Sequence, residues 1–186
     1  MLKIFIIILT FPFIIEATEF QVDKSKDNIV KITSETSLES FEGVTEDIDG
    51  YLFYESETSL QNSKIYFEIN LNTLDTGIGL RNRHMRENYL ETNKYKFTYF
   101  DAKVSKITKI SSGEYIIEGT GTIFIHGVYK QIVLSGTLKQ ISDYFALATN
   151  FNIKLSDFNI SIPKMMFLKL NELINISINV MLKEIK

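Results

Sequence analysis

The sequence predicts an all-β protein, an antiparallel barrel of about eight strands with one short helix, and three observations support this fold class. Apolar and polar residues alternate with a period of two along most of the chain after Phe20, as in half-buried strands. Helical character is confined to a short stretch near Arg81 to Leu90, so no βαβ rhythm indicates a parallel sheet. Glycines inside long strands, such as Gly119 and Gly121, favour a strongly coiled sheet that closes into a barrel over two stacked sheets.

The composition of the 186-residue chain limits the chemistry that it can perform. Its length suits one domain, with room for a processing segment. Cysteine is absent, which excludes disulfides, thiolate nucleophiles and cysteine-based zinc sites. The formal net charge is -3, so no basic excess points to nucleic acid. Only two histidines occur, on different predicted elements, and we expect neither a metal site nor a cofactor.

The N-terminal residues have the pattern of a targeting segment. Lys3 provides a positive start, and Ile4 to Ile15 is almost continuously apolar, which matches a signal-peptide core and is short for a membrane span. Ala17 is a small residue suited to the position before a cleavage site. We therefore predict a signal peptide over residues 1–17 and an exported domain over residues 18–186, with an uncleaved anchor as the alternative.

Eight strands, the first of them interrupted, account for nearly all of the remaining chain. Their predicted ranges are Phe20–Val22 with Ile29–Ile32, Phe41–Ser56, Lys64–Leu71, Phe97–Ile107, Tyr115–Ile125, Val128–Leu138, Phe145–Leu155 and Ile174–Leu182. In the third strand, Ile65 and Ile69 face one way while Tyr66 and Glu68 face the other. The interior of an eight-stranded barrel is filled by side chains or holds one small ligand. With a lining of Ile, Leu, Phe and Val, that ligand would be apolar and thin.

The inward positions of these strands are the candidate ligand contacts. They include Phe67, Ile69, Phe97, Phe151 and Ile176. The same residues would form the core of any barrel, so the pattern alone leaves both a filled interior and a lined tunnel open. Small residues in the strands leave room and favour the tunnel. They are Gly119, Gly121, Gly136, Ala146 and Ala148.

The segment Leu74–Leu90, LDTGIGLRNRHMRENYL, interrupts the strand pattern and carries the strongest charge cluster of the chain. Asp75 and Gly77 indicate a turn with an Asx-type hydrogen bond, because the Gly-Lys-Ser/Thr ending of a phosphate loop is missing. The candidate head-group contacts in the short helix that follows are Arg81, His84 and Arg86, with Arg83 beside them. Arginine suits phosphate through its bidentate fork. In the competing interpretation, one arginine caps backbone carbonyls and the others are solvated.

The sequence contains no arrangement typical of a catalytic centre. No Gly-x-Ser-x-Gly elbow is present, and the carboxylates around Glu46 lie in a polar stretch beside a glycine, as in a solvated loop. His126 precedes Gly127 between two strands, where a turn is the simplest interpretation. We therefore predict a protein that is not an enzyme. A pair of His84 with a carboxylate at the mouth of the barrel would favour an enzyme instead.

The segment Pro163–Leu170 has an unusual content of apolar residues for a loop. Methionine adapts to varied apolar surfaces, so one interpretation is a flap that shields the mouth of the barrel or contacts a membrane. The other interpretation, which matches the usual arrangement of apolar loops, is packing over one end of the barrel.

Five stretches occur in the order and spacing of YceI-like proteins, which the whole chain after Ala17 resembles. They are FQVD at Phe20–Asp23, LDTGIGLRNRHMRENYL at Leu74–Leu90, KYKFTYF at Lys94–Phe100, GTGTIFIHGVYKQIVL at Gly119–Leu134 and LSDFNI at Leu155–Ile160. The second and fourth are the most specific, since no generic barrel requires them. The chain departs from the family pattern at Asn28, where histidines are usual nearby, at Asn82, where the family has Asp, and at Lys96, where it has proline.

The resemblance implies a bacterial, periplasmic, lipocalin-like barrel with a long apolar tunnel that holds an isoprenoid tail. We therefore expect an exported carrier that sequesters a polyisoprenoid or an isoprenoid quinone, in the periplasm or, alternatively, secreted. The other functions to weigh are a hydrolase or other enzyme acting on a small lipid or ester, and a ligand-free secreted stress or structural protein. A transient membrane contact and a homodimer remain open as further partners.

Overall fold

A computed structural model of the chain describes residues 18–35, 40–54, 60–162, 164–165, 168–169 and 171–185. The predicted signal peptide, residues 1–17, lies outside the described residues. Within the described part of the chain, no helix is long and apolar enough to cross a membrane.

Strands make up most of the structure, as predicted. Their bounds are β1 Thr18–Val22, β2 Ile29–Glu35, β3 Ser40–Thr45, β4 Ile48–Tyr54, β5 Lys64–Asn70, β6 Phe97–Ser111, β7 Glu114–Ile125, β8 Val128–Ile141, β9 Tyr144–Lys154, β10 Lys164–Met165, β11 Leu168–Lys169 and β12 Leu173–Ile185. The one α-helix of the described residues, α1, covers Gly79–His84 and continues as a π-helical turn, Met85–Tyr89. Two short 3₁₀ turns cover Leu71–Thr73 and Leu155–Phe158.

The main sheet closes on itself as an antiparallel barrel of eight strands. The order around the ring is β1-β4-β5-β6-β7-β8-β9-β12, and β12 pairs back with β1. Strands β2 and β3 prolong β1 and β4 beyond a break, because β12 pairs first with β2, at Asn175–Asn179, and then with β1, at Leu182–Ile185. The interrupted first strand predicted from the sequence is therefore confirmed, as are the barrel and its short helix.

Asn28 holds the break between β1 and β2 together. Its side chain is buried, with 3% of its surface exposed. The Oδ1 atom accepts a hydrogen bond of 2.9 Å from the backbone N–H of Met181, and Nδ2 donates to the carbonyl of Asp23 at 2.8 Å. The amide thus gives the backbone N–H of Met181 in β12 a partner at the break, where a neighbouring strand would otherwise supply it.

Two glycines allow the closest approaches between neighbouring strands. A Cβ atom on Gly121 would lie 2.4 Å from the Cα of Ala102 in β6, and one on Gly50 would lie 2.2 Å from the carbonyl oxygen of Tyr66 in β5. Gly50 also has a φ of +148°, a conformation that residues with a side chain rarely adopt. The sheet therefore coils most tightly where side chains are missing.

A ladder of aromatic rings crosses the outer face of the barrel from β4 to β8. It consists of Tyr51, Tyr66, Tyr99, Phe124 and Tyr129. Tyr99 and Phe124 stack with ring centroids 4.9 Å apart. A hydrogen bond from the Tyr99 hydroxyl to Tyr129 raises the pKa of Tyr99 to about 12, and burial together with the carboxylate of Glu68 raises the pKa of Tyr66. Because each ring contacts a ring on the next strand, the ladder ties the strands together.

Strands β10 and β11 form a separate two-stranded hairpin. They belong to the segment Pro163–Leu170, predicted as a flap or as a loop over one end of the barrel. The rest of that segment, and the side chains of these two strands, lie outside the described residues.

Candidate functional site

The barrel encloses a cavity of about 780 Å³ with an almost wholly apolar lining. Its walls come from β2, β5 to β9 and β12, and the inward residues of each strand face it, as the alternation predicts. Two of the small residues that favoured a tunnel, Gly119 and Gly136, lie in this lining, whereas Gly121, Ala146 and Ala148 do not. The described interior is therefore a lined pocket and not a completely filled core.

One end of the barrel, which we call the packed end, is filled by side chains. Its residues are Phe20, Leu52, Val104, Leu138, Phe145 and Leu182. All are at most 7% exposed, none lines the cavity, and the rings of Phe20 and Phe145 lie 4.7 Å apart. The cavity consequently has a closed floor.

The opposite end is the mouth, which we define by Phe41, Ile78, Leu80, Arg81 and His84. All five line the cavity. Ile78 and Leu80 also face solvent, with 53% and 56% of their surface exposed. The cavity therefore opens beside the segment Leu74–Leu90, which we call the plug.

Four of the five predicted wall contacts line the cavity. They are Phe67, Ile69, Phe151 and Ile176. The fifth, Phe97, does not, and 37% of its surface is exposed. It pairs with the outward-facing Asn70, whereas its neighbour Thr98 pairs with the inward-facing Ile69, so the register of β6 turns the Phe97 ring outward.

The start of the plug is fixed by hydrogen bonds around Asp75. The backbone of Asp75 pairs with Val44 of β3 in both directions, at 2.8 Å each. Its carboxylate accepts from the backbone N–H of Gly77 at 2.8 Å, which is the predicted Asx-type turn. The buried Asn82 donates to the same carboxylate at 2.6 Å and accepts from the backbone N–H of Thr76 at 2.8 Å. Helix α1 is thereby tied back to the turn that precedes it.

The hydrogen bonds from Asn82 and from the Gly77 backbone N–H lower the pKa of Asp75. A depressed carboxyl pKa stabilises the fold above the unfolded-state value near 4, and this contribution is lost as pH falls through the folded-state pKa. We therefore expect the Asp75→Asn variant to lose thermal stability at pH 7 and to show a flatter decline than the wild type below about pH 4. Differential scanning calorimetry from pH 7 to pH 2 measures both effects.

Asp143 provides the control for this prediction. It lies in the exposed β8–β9 turn and forms no hydrogen bond or ion pair within the described part of the chain. Asp143→Asn should leave the decline of thermal stability below about pH 4 as steep as in the wild type. An equally steep decline in Asp75→Asn would contradict the proposed role of the Asp75 carboxylate.

Among the predicted head-group contacts, Arg81 has a well-defined position at the mouth, fixed by three contacts. Its Nε–H donates to Thr76 Oγ1 at 2.8 Å, its terminal NH2 donates to the Thr76 carbonyl, and its guanidinium lies 5.0 Å from the centroid of the Phe41 ring. A guanidinium has five N–H donors, so several remain for a ligand. Arg81 thus combines both interpretations weighed from the sequence: it caps a carbonyl and it lines the cavity.

The other charged residues of the plug occupy different positions. Arg86 donates to the carbonyl of Asn72 at 3.0 Å and does not line the cavity. Arg83 is exposed and forms no ion pair with the described residues. His84 is exposed at the mouth, contrary to the buried position that a hydrogen-bonding core histidine would have, and it forms no hydrogen bond with the described part of the chain.

His126 forms a contact that its turn position did not predict. Its Nε2 lies 2.8 Å from the carboxylate of Glu91, just after the plug, and its Nδ1 lies 3.1 Å from the carbonyl oxygen of Phe158. The Tyr95 ring packs on the imidazole at 4.9 Å. This His–carboxylate pair joins three loops at the mouth end of the barrel, but neither partner lines the cavity, and both ring nitrogens face protein acceptors.

Three mouth residues were missed as candidates by sequence reasoning: Phe41, Ile78 and Leu80. Ile78 and Leu80 flank a glycine in the plug, and isolated apolar residues beside glycine carry no strand or helix period. Asn82 was noted only as a departure from the family pattern, although it holds the plug together. In the residues that the structure describes, no group of three metal-ligating side chains occurs.

Comparison with known proteins places this architecture in a family. Residues 20–182 match the model of the YceI-like domain. The structure is similar to that of Burkholderia cenocepacia BcnA (TM-score 0.72, 17% identity, covering 86% of this chain and 98% of that chain). It is also similar to a polyisoprenoid binding domain from Saccharophagus degradans implicated in plant cell wall breakdown (TM-score 0.70, 14% identity, 90% and 99% covered).

A third similar structure is the Campylobacter jejuni YCEI protein (TM-score 0.61, 24% identity, covering 77% of this chain and 85% of that chain). A search among curated proteins finds no match. At these identities the structural likenesses establish the fold, and the domain match, which spans most of the chain, establishes the family. The chain belongs to the YceI-like family.

Proposed function

We propose that the protein is an exported carrier that holds the apolar tail of a polyisoprenoid lipid in its barrel. The observation that carries the proposal is the cavity of about 780 Å³, almost wholly apolar, closed at the packed end and open at the mouth. Its volume lies in the upper part of the range of small-molecule pockets, about 300–1,000 Å³. The similarity to a polyisoprenoid binding domain supports the same class of ligand.

Burial of the tail supplies the binding free energy in this proposal. Each buried CH₂ contributes about 0.8 kcal/mol, so a few isoprene units supply roughly 10 kcal/mol before the costs of association. Association costs of at least about 4 kcal/mol reduce this to about 6 kcal/mol or less, and each further isoprene unit adds about 4 kcal/mol. Burial of about four or more units would therefore be consistent with micromolar or tighter binding. Isoprene branches suit walls of Phe67, Ile69, Phe151 and Ile176, because methyl groups pack against aromatic and β-branched side chains.

The polar end of the ligand would lie at the mouth. Arg81 and His84 are the polar side chains there that line the cavity, and Arg81 is held in place by Thr76. A phosphate, a diphosphate or a quinone carbonyl would each accept hydrogen bonds from these groups. An isoprenoid quinone is therefore the second ligand of this proposal, and the periplasm is the proposed location.

Native mass spectrometry of the protein purified from its own host tests the proposal directly. We expect a bound species that dissociates as a prenyl lipid or quinone, in one copy per chain. Added geranylgeraniol should restore a single-ligand complex after delipidation. Protein that carries no lipid and also fails to bind added geranylgeraniol or ubiquinone would contradict the carrier function.

Arg81→Ala tests the head-group contact. We expect the variant to bind geranylgeranyl diphosphate at least about tenfold more weakly, because charge-assisted hydrogen bonds contribute about 1.5–3 kcal/mol. Binding of geranylgeraniol, which has no charged head, should change by less than about threefold. Isothermal titration calorimetry with both ligands gives the comparison.

Arg86→Ala is the matched control, since Arg86 caps a carbonyl in the same region without lining the cavity. It should affect both ligands equally and weakly. An equal loss of both ligands in Arg81→Ala would show that Arg81 acts only by holding the plug.

The enzyme alternative predicted a carboxylate within reach of His84. No such pair is present among the described residues, and the His126–Glu91 pair lies outside the cavity lining. These positions favour binding over acid–base chemistry on a cavity ligand. Incubation with prenyl esters followed by mass spectrometry would reveal any turnover, and a homodimer stays a prediction that analytical ultracentrifugation can test.

A further inference from the structure

The tip of the plug presents apolar side chains to solvent next to the mouth. Ile78 and Leu80 are each more than half exposed. Ile78 lies between Gly77 and Gly79, and Leu80 follows Gly79. A Cβ atom added to either glycine would have no neighbour within 4 Å. The two apolar side chains therefore lie beside positions that have open space around them, and each is more than half exposed.

The exposed apolar surface continues without interruption into the cavity. Ile78 and Leu80 belong to the cavity lining and are also more than half exposed, and Phe41 and Met85 belong to the same lining. Other exposed apolar residues of the described chain lack this property: Ile110 and Val133 are exposed to 54% and 56% but do not line the cavity. The tip is thus the outer end of the route into the pocket.

The tip is also basic, although the whole protein is acidic. From Thr76 to Arg86, between Asp75 and Glu87, the chain carries three arginines and no acidic residue, while the formal net charge of the protein is -3. Arg81 and Arg86 each donate to a backbone carbonyl, and Arg83 is exposed without an ion pair within the described residues. A positive tip on a negative body is oriented by an anionic surface, since the rest of the molecule is repelled.

We propose that the tip formed by Ile78, Leu80 and Arg83 docks the mouth on an anionic phospholipid bilayer, with the two apolar side chains inserted between head groups. The docking rests on the proposed carrier function. When the mouth is docked, a long apolar tail passes from the bilayer into the cavity without crossing water. Basic and apolar residues together are what interfacial membrane binding requires. Tyr129, the most exposed ring of the aromatic ladder, does not line the cavity, so its insertion would not bring the mouth to the bilayer.

Vesicle flotation of protein that starts at residue 18 tests the docking, since the apolar residues 1–17 are then absent and the closed barrel is retained. The probes are vesicles of phosphatidylglycerol with phosphatidylethanolamine and vesicles of phosphatidylcholine alone. We expect at least fivefold more bound protein on the anionic vesicles and a steep decline with salt. A folded protein that floats with neither vesicle, or equally with both, would overturn the proposal.

Matched pairs of variants locate the contact. Ile78→Ser with Leu80→Ser should reduce vesicle binding at least fivefold, while Ile110→Ser with Val133→Ser, equal in exposure and chemistry, should not. Arg83→Glu should abolish the preference for anionic vesicles, and Lys139→Glu on the exposed end of β8 should retain it. Unfolding temperatures verify that each variant is folded, and equal losses in the two members of either pair would refute the assignment.

A transfer assay separates failure of docking from failure of the carrier function. Arg83→Glu should bind geranylgeraniol in solution with unchanged affinity but extract a fluorescent prenol from anionic vesicles at least fivefold more slowly. Unchanged extraction would contradict docking and leave the carrier function intact. Vesicle binding without any binding of geranylgeraniol would contradict the carrier function alone.

Discussion

Gly121→Ala is expected to destabilise the protein by about 3 kcal/mol or more. A Cβ atom at this position would lie 2.1 Å from the carbonyl oxygen of Asp101 and 2.4 Å from the Cα of Ala102. Both contacts involve the backbone of β6, which cannot rotate away as a side chain can, so β6 and β7 would have to separate. Because these strands belong to a closed ring, the strain would spread to their neighbours and not be confined to one edge.

Urea unfolding followed by fluorescence measures this effect, and Gly119→Ala is its control. Gly119 lies two residues earlier on the same strand, and its added Cβ would meet the Phe100 ring at 3.4 Å and Ile65 at 3.5 Å, which are ordinary contact distances. The control should change the free energy of unfolding by less than about 1 kcal/mol. Similar values for the two variants would mean that β6 and β7 do not approach as closely as described.

Gly119→Phe is expected to weaken the binding of long prenyl lipids strongly while the barrel stays folded. The position lines the cavity, and its would-be Cβ already touches Phe100 and Ile65, so a benzyl group there must extend into the ligand space. We expect affinity for geranylgeraniol to fall at least about tenfold, equivalent to about 1.4 kcal/mol. Calorimetric titration gives the affinity and thermal unfolding verifies the fold.

Thr120→Phe places the same ring on the outer face of the same strand, where Thr120 is exposed, and should leave the affinity unchanged. Retained binding in Gly119→Phe would place the ligand elsewhere. If Gly119→Phe does not fold, the milder variant Gly119→Leu tests the position of the ligand by the same titration.

Most of the wall could be predicted from the sequence, because a half-buried strand imposes its period directly on the residues. Ile65, Phe67 and Ile69 alternate with polar neighbours, and each faces the cavity as predicted. For Phe97, the alternation alone does not determine which way the side chain faces. Phe97 and Phe100 at the start of β6 are both apolar but have opposite parity, and only the pairing with β5 decides which ring faces inward.

The mouth was less accessible to sequence reasoning, because its geometry depends on contacts between distant segments. Arg81 could be chosen as a candidate from its charge, but its orientation depends on Thr76 and on the Phe41 ring, which lies on β3. His126 could be assigned a turn from Gly127, yet its contacts with Glu91 and Phe158 span more than 30 residues of sequence. Local patterns contain no information on such contacts.

The packed end gives the cavity a fixed depth, so in the proposed carrier function it would limit the length of the tail that the barrel can enclose. Each additional isoprene unit should strengthen binding until the tail reaches the layer formed by Phe20, Leu52 and Leu182, and further units would have to remain outside the mouth. Affinities for prenols of increasing length should therefore rise and then level off. Shortening one side chain of the layer, for example by Leu182→Ala, would deepen the cavity. The prenol length at which the affinity levels off would then increase.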